Sequence, residues 1–177
     1  MTKTGVDNIE DLRGPGLARE GQSELINAQT ECTFVFTNEN GWASGVVMSY
    51  VEFDGSFWVT AVEGRGHVRG VETDPRVSMV VSNAGTGLPG RRMLSMRGTA
   101  IIHRDPAVKA RFLEFFAARH QPEDPESFIR LLDSANRVVI QFHPAARAVS
   151  HDSTKMPGNG RGGASPAGPS AVTGSVR

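Results

Sequence analysis

Cysteine is almost absent from this chain: Cys32 stands alone among 177 residues. A single thiol excludes an internal disulfide and any zinc cluster built on thiolates. Sitting beside Phe34 and Phe36, it reads as a small hydrophobe packed in a strand rather than as a nucleophile. Excess charge is missing too. The 19 Lys+Arg balance 19 Asp+Glu, so no net field draws the chain to nucleic acid or to an anionic membrane. No apolar run approaches the roughly 20 residues that span a bilayer, and the opening MTKTGVDNIEDLRG holds no hydrophobic signal core. The expectation is a cytoplasmic protein with neither a membrane nor a nucleic acid as partner. The five histidines are scattered, with no pair at i, i+4 spacing and no His-x-His, so no metal site is expected. A Gly-x-Ser-x-Gly nucleophile elbow and the Gly-Lys-Ser/Thr of a phosphate-cradling P-loop are also lacking.

What is present fits one soluble domain with tails. Residues 1–20 mix charge, glycine and Pro15 and read as a flexible N-terminal segment. Residues 157–177, PGNGRGGASPAGPSAVTGSVR, have no aromatic residue and no periodicity, the composition of a disordered tail. The domain therefore spans 21–156. Within it Asn40-Gly41 separates a strand at 33–38 from one at 44–53, and Asp54-Gly55 separates that from 57–62. Both dipeptides favour tight hairpins because they tolerate positive φ. Further strands follow at 77–82 and 93–103, the latter with Gly98 inside it as at a bulge or barrel corner. Asp105-Pro106 and Asp124-Pro125 each place an N-cap before a first-turn proline. The helix after the first aligns Val108, Phe112, Phe115 and Phe116, and that after the second aligns Phe128, Leu131 and Leu132. A last strand covers 137–143, with a continuation at 148–150. Strands in hairpin order with two late helices predict an α+β fold: a six-stranded antiparallel barrel with flanking helices.

The richest stretch is 57–81, FWVTAVEGRGHVRGVETDPRVSMVV. A strand leads into a glycine-rich turn carrying Arg65, His67 and Arg69, then a short helix at about 68–73 that stops at Asp74-Pro75. Cations at a helix N-terminus oppose the helix dipole, whereas an anion bound there reverses the sign and meets free N–H groups. The spacing of Gly64, Gly66 and Gly70 imitates a dinucleotide fingerprint. That reading needs a parallel sheet and an acidic residue where Asn83 stands, and the tight hairpins argue against it.

The combination of V-R-x-V-x-x-D-P-R-V at 68–77 with Arg97-Gly98-Thr99-Ala100, the strand ending at Thr60 and the terminal HPAARAVSHDSTKM resembles the pyridoxamine 5′-phosphate oxidase-like family, the flavin-binding split barrels. The likeness covers about 30–156. It implies a homodimer with two flavin nucleotides in grooves at the interface. Ser44, Val46, Val47 and Met48 would run along the ring system, and Val59 and Thr60 would touch the ring edge or the phosphate end. Arg65, Gly66 and His67 would hold the 5′-phosphate, and Arg92 and Met93 would approach from the partner chain. The family usually carries an Arg-Lys pair or a lysine where this chain has Gly66-His67, which predicts weaker phosphate binding or a shifted cofactor. The resemblance implies a cofactor, FMN or a deazaflavin coenzyme, and an oxidoreductase acting on a small molecule. The alternative is a non-catalytic flavin or phosphate-ligand binding or storage protein. Phe53, Phe57 and Trp58, crowded on one hairpin, are a further hint of a dimer surface.

Overall fold

The two hairpin signals lay out the first half of the sheet. The computed structural model describes residues 15–156 and residue 158. It begins with helix α1 (Arg19–Ala28), followed by β1 (Glu31–Thr37), β2 (Ala43–Ser49), β3 (Val51–Phe53) and β4 (Ser56–Val62). Gly41 takes φ +79°, while Asp54 and Gly55 take +53° and +69°, the paired left-handed geometry that a two-residue hairpin requires. Next come α2 (Gly66–Thr73), β5 (Arg76–Ser82), β6 (Arg92–His103), α3 (Pro106–His120), α4 (Pro125–Leu132) and β7 (Arg137–Asp152).

Every ladder is antiparallel, and the strands form one curled sheet in the order β2-β1-β5-β6-β7-β4-β3. The expected α+β class and split antiparallel barrel hold, and the dinucleotide-fold alternative falls with the parallel sheet it needs. The strand count is seven rather than six, because the run 44–53 divides at Tyr50. There the chain leaves β1 and crosses to β4: Tyr50 N–H donates to the Thr30 carbonyl at 3.1 Å, and its wholly buried phenol donates to the Ile26 carbonyl at 2.8 Å. The sheet therefore ends on β2 at one side and β3 at the other, and no ladder joins β2 to β4. Gly98 sits at a register shift between β6 and β7, where an added Cβ would lie 1.9 Å from the His143 carbonyl oxygen.

Alternation along the strands separates two cores. Cys32, Phe34, Phe57, Val59, Met79, Leu94, Ile140 and Phe142 fill the barrel interior. Burial pushes the Cys32 thiol up to about 12, so it is an inert packing group. On the outer face, Val51, Trp58 and Val139 meet Phe112, Leu113 and Phe116 of α3. Phe115 departs from the expected apolar face. It is 42% exposed and stacks on Phe53 at 4.4 Å, and Phe53 stacks in turn on Trp58 at 4.7 Å. Of the hairpin aromatics read as a dimer surface, Phe53 and Trp58 thus meet α3 of the same chain and Phe57 points into the barrel. Leu131 also departs: it is 73% exposed while Phe128, Ile129 and Leu132 pack inward.

Helix α1 lies in a region expected to be partly flexible. Its C-terminal carbonyls are held from α3, where Arg119 Nη2 donates to Ile26, Asn27 and Gln29. The expected flexible segment 1–20 is described only from Pro15 onward. There Leu17 N–H donates to Ser150 Oγ at 2.9 Å and the Pro15 carbonyl accepts from Asp152. Residues 1–14 lie outside the described residues, as does the expected tail at 157–177 apart from residue 158. Among the described residues, no helix is long and apolar enough to cross a membrane.

Candidate functional site

Where β2 fails to pair with β4, the seam opens into a cavity of about 670 Å³. Helix α2 seals one end of it. Gly70 makes that possible, because a Cβ there would stand 2.4 Å from the Phe36 ring and 2.6 Å from the Thr37 carbonyl oxygen. Only a glycine lets the helix lie this close to β1. The cavity body is apolar, with Phe36, Val46 and Met48 on one side and Phe116, Phe128 and Leu132 of α3 and α4 on the other.

Its polar end is built by the turn into α2 and the start of β7. Arg65 is the N-cap of α2, and no side chain caps the helix start. The Arg65 carbonyl accepts the N–H groups of Val68 and Arg69, while those of Gly66 and His67 have no backbone acceptor among the described residues. No acidic residue occupies the first turn, and none lines the cavity. His67 is half-buried, its ring edge-on to Phe36 at 6.0 Å, and its Nε2 is buried without a hydrogen-bond partner. Burial, and secondarily the Arg65 guanidinium, hold its pKa below the ordinary histidine value, so the imidazole is neutral at pH 7. A buried orphan nitrogen costs free energy that an incoming hydrogen-bonding ligand recovers. An uncapped helix start beside a cation suits an anion, and the long apolar body suits a flat ring system.

Of the residues anticipated from sequence, Val46, Val47, Met48, Thr60, Arg65, Gly66 and His67 come together around this cavity. Thr60 Oγ1 donates to the Val138 carbonyl at 2.8 Å, which leaves its lone pairs as acceptors. Ser44 does not line the cavity; its hydroxyl accepts from Asn38 Nδ2 at 3.0 Å. The Val59 side chain packs in the barrel interior at 1% exposure, and β4 meets the cavity through Thr60, Ala61 and Val62 instead. Arg69 is drawn outward by Glu39 at 2.6 Å and by the Gly64 carbonyl.

Arg92 and Met93 line a different cavity, of about 600 Å³, together with the loop 83–91 and His151. Arg92 is 13% exposed and pairs with Glu24 at 2.6 Å and Asp152 at 3.6 Å. Within one chain these two residues are not part of the seam cavity. Phe36, Phe116, Phe128, Leu132 and Arg137 line it without having been anticipated. The helix residues were legible only as apolar faces, since the packing of α3 and α4 is what places them on the cavity. Arg137 carried one weak signal, a lone cation at the first position of a strand.

A family model described as pyridoxamine 5′-phosphate oxidase matches residues 19–149. No curated protein matches the chain. Solved structures share the fold. A conserved hypothetical protein of Mycobacterium tuberculosis is 20% identical with a TM-score of 0.71, over 90% of this chain and 98% of that one. The heme storage protein HutZ of Vibrio cholerae is 14% identical with a TM-score of 0.61, over 75% and 94%. An F420 reductase is 22% identical with a TM-score of 0.54, over 73% and 97%.

Proposed function

The chain belongs to the pyridoxamine 5′-phosphate oxidase family, and from that premise we propose that it is a flavin-nucleotide-binding oxidoreductase acting on a small organic molecule in the cytoplasm. FMN, or alternatively a deazaflavin coenzyme of the kind an F420 reductase uses, is the cofactor. One observation carries this reading: the uncapped start of α2, with Arg65 and the unpartnered His67 Nε2, closes one end of a cavity whose remaining lining is mostly apolar. Such a cavity suits a molecule with an anionic head and a flat apolar body.

The bound cofactor would supply hydride or electron transfer. The chain's own residues bind and orient it. Arg65, His67 and the Gly66 and His67 N–H groups hold the phosphate. Val46 and Met48 form the apolar wall that excludes water from the ring, and Thr60 offers a hydrogen-bond acceptor beside them. A homodimer completes the site, with Arg92 and Met93 of one chain facing the cofactor of the other. Exposed Val47, 68% accessible on the free edge strand, supports contact with a second chain at this seam.

A second reading is a binding or storage protein. It is favoured by the lining itself, in which His67 is the only group that titrates near neutrality, so the cavity offers little acid–base chemistry. Thermal melting with FMN and with deazaflavin coenzyme tests both. A ligand present at 100 times its dissociation constant stabilises by about 2.7 kcal/mol. A rise with either supports the site, and no rise with both removes it. Turnover of the reduced cofactor with small acceptors separates the enzyme from the binder.

A further inference from the structure

The turn into α2 lacks the fixed charge that a lysine would place where His67 stands, yet the cavity holds a cation from elsewhere in the chain. Arg137 opens β7 directly opposite Val62, the last residue of β4, and the Asn136 carbonyl accepts from Glu63 N–H at 2.8 Å. This register brings Arg137 to the end of the cavity from which the turn 63–65 leaves, and it lines the cavity with Arg65, Gly66 and His67. Its Nε donates to the Leu132 carbonyl at 2.9 Å, which holds the guanidinium stem and leaves the two terminal nitrogens as donors.

The acidic groups around it are already engaged by other cations. Arg104 takes Glu63 at 2.7 Å and also Glu72, and Lys109 takes Asp133 at 2.8 Å. Among the described residues no carboxylate pairs with Arg137. Burial without a counter-charge pushes its pKa below the ordinary arginine value, as expected for a cation lacking an anion.

We infer that Arg137 is a phosphate-binding residue of the seam cavity, supplying from β7 the fixed positive charge that the α2 turn lacks at His67. The inference rests on the proposed flavin-nucleotide reading and deepens it. The cradle is assembled from two separate segments, and its guanidinium fork selects a phosphomonoester over a neutral alcohol.

The test is a pair of titrations on the full chain, FMN against riboflavin and deazaflavin coenzyme against its phosphate-free core, read by fluorescence. Arg137→Gln should weaken binding of the phosphorylated ligand about 10- to 100-fold, the range of a lost charge-assisted hydrogen bond, and change the phosphate-free ligand less than about twofold. Arg137→Lys keeps the charge but loses the fork, and should show the same selective loss to a smaller extent, which serves if Arg137→Gln does not fold. Equal loss for both ligands, or no loss for either, overturns the role of Arg137 and leaves the flavin site standing. A wild-type chain that binds none of the four ligands overturns both.

Discussion

Helices α3 and α4 begin in one way and α2 in another. Asp105 accepts from the N–H groups of Ala107 and Val108 at 2.9 and 3.0 Å, and Asp124 accepts from Ser127 at 3.1 Å, each with a proline in the first turn. Those starts satisfy themselves. Helix α2 starts on Arg65 with no side-chain cap, no first-turn acid and a second potential cation at His67. A capped start contributes stability and needs nothing further, whereas an uncapped one has its donors and dipole available to a ligand. The contrast marks the candidate site more sharply than the glycine spacing does, since Gly64, Gly66 and Gly70 serve the turn and the close packing on β1.

The comparison can be broken most severely at Gly70. Gly70→Ala drives a methyl into Phe36 and the Thr37 carbonyl, so α2 must move. Overpacking of this kind costs about 1–3 kcal/mol. Denaturant unfolding should show that loss, and FMN binding should fall with it. Next comes Arg65→Asp, which gives α2 the kind of start α3 has. Phosphate-ligand affinity should drop by about 100-fold or more from charge reversal, while the ligand-free protein melts no lower than wild type because an N-cap is worth about 0.5–2 kcal/mol. Parallel loss of stability and affinity would show that Arg65 is structural.

A smaller change restores the usual lysine. His67→Lys should tighten FMN binding about three- to tenfold at pH 8, where the native imidazole is neutral. Asp105→Ala is the converse control: about 1 kcal/mol lost in chemical unfolding and ligand affinity within twofold of wild type. The smallest effect is on pH. Burial lowers the pKa values of both His67 and His120 in the fold. The unfolded chain therefore binds more protons as pH falls below the ordinary value of 6.5, and stability is lost through that window while it is full above it. Urea midpoints measured from pH 8 to pH 5 should decline, and a saturating phosphate ligand beside His67 should flatten the decline.

The sheet was largely legible because its hairpins rest on local chemistry, Asn40-Gly41 and Asp54-Gly55, and its late helices on Asp-Pro starts. Helix α1 was not. In REGQSELINA only Leu25 is buried, so no periodicity marks it, and its C-terminal carbonyls are satisfied by Arg119 from far along the chain. The break at Tyr50 is likewise tertiary, fixed by Thr30 and Ile26. Of the residues that line the candidate cavity, those of the turn were readable from their sequence, and Val46, Met48 and Thr60 were named from family likeness. Arg137 needed the β4–β7 register and the position of α4.

The most direct measurement is a backbone amide NMR titration of the full chain with FMN and with deazaflavin coenzyme. The largest shifts are expected at the N–H groups of Gly66 and His67, with those of Ala107, Val108 and Ser127 unmoved. Binding that leaves Gly66 and His67 unshifted would contradict it.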